Sequence, residues 1–168
     1  MQRSEIQPIA LSGNGEYLLT GRPDRHKVDL EQYINGMTGY SPYVHAYTFK
    51  RCMKVSEGID FGMGVAIDYT GSIVAIGYRI MHQGSYRVRV DIYRRKDMDD
   101  QVWELLEVRD VILETVELNV QSFSLAMDGH GKRLVVRMVG DDYLGNEYPS
   151  VMQVELTVDP ERSIISQE

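Results

Sequence analysis

Short apolar runs separated by four-residue polar turns recur three times along the chain. The copies read IALSGNGEYLLTG (residues 9–21), VAIDYTGSIVAIG (residues 65–77) and LAMDGHGKRLVVR (residues 125–137). Their turn glycines are Gly15, Gly71 and Gly131, spaced 56 and 60 residues apart. A glycine in that place supplies the positive φ that a short hairpin loop needs, so each copy predicts two antiparallel strands in fixed register. Self-similarity at such a period is the mark of a repeat architecture.

The strand pattern extends beyond each hairpin. In the first unit, residues 43–50 (YVHAYTFK) alternate apolar and polar positions and predict a third strand after the hairpin of residues 9–12 and 16–21. Residues 22–42 carry Pro, Gly and Asn punctuation and predict a long surface excursion, with a helical turn over 28–33 capped by Asp24 as one option. The second unit predicts strands at 65–68, 73–78, 86–94 and 101–108, with Tyr86, Val88, Val90 and Ile92 sharing one face. The third predicts strands at 122–127, 133–137, 151–158 and 163–166, with a loop at 141–150. Residues 111–120 fit an extended linker better than a helix, because β-branched residues are frequent there. The sequence therefore predicts an all-β chain, a single repeat domain over 1–168. It holds three propeller-type blades of four antiparallel strands, at about 6–55, 61–110 and 120–166.

The residues of the second unit resemble the FG-GAP repeat, the blade of the integrin α-subunit β-propeller. The resemblance rests on Phe61-Gly62, the strand at 65–68, Gly71, the strand 74–77 ending in Gly77, Gly84, and the strand 88–93. Trp103-Glu104-Leu105 is similar to the strand that closes such a repeat, and Gly21-Arg22-Pro23 stands where the family has Gly-Ala-Pro. The resemblance implies a propeller blade and a binding role. Calcium-binding members carry a longer ligand loop between the first two strands. Calcium needs about six to eight oxygens, and the turn Asp68-Tyr69-Thr70-Gly71 has one carboxylate, so no calcium site is carried over. Asp68 and Asp128 are expected to brace their turns by accepting backbone N–H bonds.

Composition narrows the partners. The net charge is −7, and the basic residues Arg87, Arg89, Arg94, Arg95 and Lys96 are interleaved with Val88, Val90 and Ile92. They are expected on the solvent face of a strand, which argues against nucleic acid or an anionic membrane as partner. Cys52 has no second cysteine to pair with, there is no Asn-x-Ser/Thr sequon, and residues 1–11 lack the apolar core of a signal peptide. An intracellular setting is the expectation.

No catalytic set converges. His26, His45, His82 and His130 lack metal spacing, and Asp97, Asp99, Asp100, Asp141 and Asp142 fall in turns where carboxylates stay hydrated. Neither a metal nor another cofactor is expected. Tyr33, Tyr40, Tyr43 and Tyr143 are the candidate interface residues, since aromatic anchors are enriched in contacts. The leading expectation is a non-enzymatic protein-binding or scaffold module that binds through loops 22–42, 79–85 and 141–150. A structural subunit of a large assembly, such as a capsid or organellar complex, is the alternative. A carbohydrate-active enzyme would need two carboxylates about 5–10 Å apart, for which the sequence gives no sign. Three blades are fewer than the roughly four to eight of closed propellers. A protein partner, or a dimer closing a six-bladed ring, is therefore expected to cover the open ends.

Overall fold

The computed structural model of the chain describes residues 7–36, 39, 41–51, 59–97, 101–112, 118–142 and 150–161. Eleven strands form three separate antiparallel sheets. The first sheet holds β1 (Ile9–Leu11), β2 (Tyr17–Arg22), β3 (Lys27–Tyr33) and β4 (Tyr43–Lys50) in sequence order. The second holds β5 (Ile59–Ile67), β6 (Ile73–His82), β7 (Ser85–Arg95) and β8 (Trp103–Asp110). The third holds β9 (Leu118–Met127), β10 (Arg133–Asp142) and β11 (Ser150–Thr157). Consecutive strands pair as neighbours throughout, which is the meander of a propeller blade. The chain is an open, propeller-like stack of three blades. The fourth strand expected at 163–166 lies outside the described residues.

The three turns share one construction. Ser12, Asp68 and Asp128 open them, and the N–H groups of Gly15, Gly71 and Gly131 donate to the carbonyls of those residues. The glycines have φ of 74°, 74° and 69°. Asp68 Oδ1 accepts from the N–H groups of Ser72 (2.7 Å) and Ile73 (3.0 Å); Asp128 Oδ1 accepts from Lys132 (2.7 Å) and Arg133 (2.9 Å). The carboxylates therefore brace their turns as the sequence implies. Backbone bonds also tie the turns together, from Asn14 N–H to Tyr69 C=O and from Tyr69 N–H to Gly129 C=O. Because Asp68 is buried and holds two backbone donors, Asp68→Ala should lower stability by about 1–2 kcal/mol, more than Asp128→Ala at its exposed turn. A urea midpoint for each variant measures the difference.

Packing follows from period-2 alternation on strands buried on both faces. Along β6, Val74, Ile76, Tyr78 and Ile80 join the core with the first blade, while Ile73 and Ala75 join the core with the third. Val88, Val90 and Ile92 of β7 are fully buried on the third-blade side. Each blade's first strand lies against the sheet before it: β5 against β1 and β2, β9 against β5 and β7.

Four expectations need correction. Residues 22–42 are not one surface excursion. Pro23–Arg25 is a single 3-10 turn closed by His26 in the left-handed region, and Lys27–Tyr33 is strand β3. No helix forms over 28–33, because Val28 and Leu30 alternate into the core with no exposure at all. Residues 79–85 are not a loop either. β6 and β7 run to a two-residue turn, with His82 paired to Ser85 and positive φ at both Gln83 (48°) and Gly84 (85°), the geometry that matches strand twist. At 141–150, Asp141 and Asp142 belong to β10 and Ser150 to β11; residues 143–149 lie outside the described residues. Finally, the basic run does not share a solvent face. Arg95 is buried, its guanidinium 4.6 Å from the Tyr17 ring centre and 5.8 Å from that of Trp103. Arg94, on the opposite side of the strand, pairs with Glu104.

Candidate functional site

The 56-residue spacing aligns the first two blades position by position. On the second blade, Val65, Ile67, Val74, Ile76 and Tyr78 form the face buried against the first blade. The same positions on the first blade are Ile9, Leu11, Leu18, Thr20 and Arg22. Nothing in the described residues covers them: Ile9 is 69% exposed and Leu11 55% exposed. The third blade repeats the pattern with Leu125, Met127, Leu134, Val136 and Met138, packed against the second. The first blade thus keeps the apolar stacking face of the other two without its neighbour.

Cross-strand register lays this face out in rows. Arg22 pairs with Lys27, which pairs with Lys50. The next row is Ile9, Thr20, Asp29 and Thr48; the one after is Leu11, Leu18, Glu31 and His45. Tyr33 and Tyr43 end it, paired in register with ring centres 5.6 Å apart and planes at 68°. Tyr43 donates its hydroxyl to Gly15 C=O at 2.9 Å, which fixes the ring beside the first turn. The structure therefore brings Tyr33 and Tyr43 together on the uncovered face. Tyr40 and Tyr143 lie outside the described residues.

Asp29 anchors the middle of the face. It accepts from Arg22 Nε (2.9 Å), Lys27 Nζ (3.3 Å) and Thr48 Oγ1 (2.9 Å), and His45 Nε2 lies 2.7 Å from the same Thr48 hydroxyl. Burial alone would raise its carboxyl; the bonds from Thr48, Lys27 and Arg22 outweigh that and hold it below the usual carboxylate range. The second blade has Asp91 at the same position, opposite Ile76 as Asp29 is opposite Thr20. Asp91 is fully buried and takes an ion pair from Arg51, past the end of β4, together with the Tyr78 hydroxyl at 2.9 Å and the Tyr93 hydroxyl at 3.4 Å. Beside it, Tyr47, Phe49, Tyr93 and Trp103 form a continuous aromatic cluster. This is the clamp between the first and second blades. Sequence reasoning missed it, although the signal was present: an aspartate among the apolar residues of a central strand needs a buried cation or donor.

The opposite end of the stack differs in chemistry. The face that the first blade turns to the second carries Tyr17, Leu19 and Gly21; the second turns Ile73, Ala75 and Gly77 to the third. The third blade has Arg133, Val135 and Arg137 in those places, with exposed Ser124 and Gln153 beside them. A groove of about 430 Å³ there is lined by Ala126, Met127, Asp128, Arg133, Val135 and Glu155. Three of those six side chains are charged, so the groove does not fit an apolar sheet.

The remaining polar candidates do not converge. His26 caps the 3-10 turn, His82 flanks the β6–β7 turn and His130 lies in the third turn. Asp141 bonds Gln121; Asp99 and Asp100 lie outside the described residues, as does Cys52. Among the described residues, no three His, Cys, Asp or Glu side chains are grouped to hold a metal ion.

No family model matches the chain, and no curated protein sequence matches it. Among solved structures, the crystal structure of the tricorn protease aligns with it at a TM-score of 0.45 and 12% identity, over 95% of this chain and 14% of that chain. The chain spans 14% of the length of that structure.

Proposed function

We propose that the chain is a non-enzymatic protein-binding module that engages its partner through the uncovered face of the first blade. One observation carries this reading. Ile9 and Leu11 are exposed at positions whose counterparts, Val65 and Ile67, are buried by a neighbouring blade. A repeat hides its apolar face by stacking, and this face lacks a neighbour among the described residues. Tyr33 and Tyr43 supply aromatic anchors at one end of it, and cations border the other. The resemblance of residues 61–93 to the FG-GAP repeat supports the same reading. The contact surface is then a sheet face, in place of the loops that sequence punctuation favoured.

A photo-reactive side chain tests this directly. Placed at Leu11, it should cross-link to protein in native extract; placed at Ser124, on the outer face of the third blade, it should not. No adduct at Leu11, or equal yields at the two positions, overturns the proposal.

A further inference from the structure

We infer that the uncovered face of the first blade is closed by the same face of a second copy, across a two-fold axis that lies in the interface and runs across the strands. The inference rests on the protein-binding reading above and names its occupant.

The argument is one of complementary rows. A two-fold axis across the strands sets β1 against β1 and β2 against β2 while exchanging the ends of each strand. Ile9, Leu11 and Leu18 of one copy then meet those of the other along the inner half of the face. The ends are unlike in charge. At one lie Arg22, Lys27 and Lys50, and only Asp29 offsets them. At the other lie Glu31 and the rings of Tyr33 and Tyr43. Exchange of the ends brings the cationic row of each copy to the glutamate and tyrosine faces of its mate. Both contacts are attractive, the second because a ring face draws a cation.

Head-to-tail closure into a six-bladed ring lacks this fit. It would set the third blade's outer face on the first blade's, with Arg133 and Arg137 where stacking uses Ile73 and Gly77. A methyl group at Gly77 would already overlap the Phe123 ring, so an arginine in that role leaves no room for the next blade. The two-fold arrangement leaves both polar third-blade faces in water, as terminal repeats require.

The test is sedimentation equilibrium on the purified chain. The expected mass is twice the 19.2 kDa of one chain. Leu11→Glu should raise the dimer dissociation constant by roughly tenfold or more, and Ser124→Glu should leave it unchanged. Glu31→Lys should weaken the dimer, and adding Lys50→Glu should restore it, because the two residues exchange ends across the axis. Circular dichroism melting confirms that each variant is folded. A monomeric wild-type chain overturns the inference; so does a dimer indifferent to Leu11→Glu, or one broken equally by Ser124→Glu, which is the ring. If the chain is a monomer and Leu11 still cross-links to a different protein, this inference falls while the protein-binding reading stands. If Leu11 yields no adduct, both fall.

Discussion

Replacing Asp91 by alanine should destabilise the chain by about 3 kcal/mol, the range for breaking a buried charge pair. Asp91 has no exposure and serves three donors: Arg51, Tyr78 and Tyr93. Arg51 is one-third exposed and can turn to water, which limits the loss from that side. Tyr78 is 1% exposed and cannot, so its hydroxyl is left without an acceptor at the cost of an unsatisfied buried donor. Asp91→Asn keeps an acceptor oxygen and should cost less than the alanine variant. Urea unfolding followed by circular dichroism measures the total. Trp103, the one tryptophan, stacks 5.1 Å from Phe49 of the first blade and reports separation of the blades by fluorescence.

The same clamp sets an alkaline limit. Burial first, and the Asp91 anion second, push the Tyr78 and Tyr93 hydroxyls above the ordinary tyrosine range. The unfolded chain releases these protons near pH 10, whereas the folded chain retains them. Stability is therefore full below about pH 10 and declines as the pH rises further. Asp91→Ala removes the anionic part of that shift, so the decline should be shallower. An Asp91→Ala chain within 0.5 kcal/mol of wild type, a typical surface effect, would show that the cluster does not hold the blades.

The turns were legible from sequence because their cause is local. A glycine at positive φ and an aspartate two to three residues before it act within one loop, so Asp68 and Gly71 announce themselves. Strand β3 was hidden because its neighbours misled. Pro23, Asn35 and Gly36 punctuate the segment, yet Val28 and Leu30 between them alternate into the core. Arg95 was misplaced for a different reason. Its sequence neighbours are cations, and only the pairing of β7 between two blades turns it onto Tyr17. The uncovered face needed both sources. Tyr33 and Tyr43 stand out by composition, but Ile9 and Leu11 read as ordinary core residues until the stack shows that no described segment lies beyond them.

Gly21→Ala should be comparably severe, at about 3 kcal/mol for overpacking against an element that cannot yield. A methyl group there would overlap the carbonyl oxygen of Gly62 in β5 and crowd Pro8. Neither is the end of a flexible side chain. Gly62 is itself held at φ 91° in the β5 bulge, beside Val28 and the Lys27 carbonyl, so the backbone has no room to retreat. The corresponding change in the second blade, Gly77→Ala, meets the Phe123 ring and Leu125, side chains that can shift, and should cost about half as much. Arg137→Gly, at the same position in the third blade, should move stability by no more than about 1 kcal/mol, the cost of glycine in a strand. Chemical denaturation of the three variants gives the order. A Gly21→Ala chain as stable as wild type would mean that close backbone approach is not what seats one blade in the next. With the order as stated, glycine at this position admits a following blade and arginine refuses one, which is why the stack ends at the third blade and leaves its apolar face at the first.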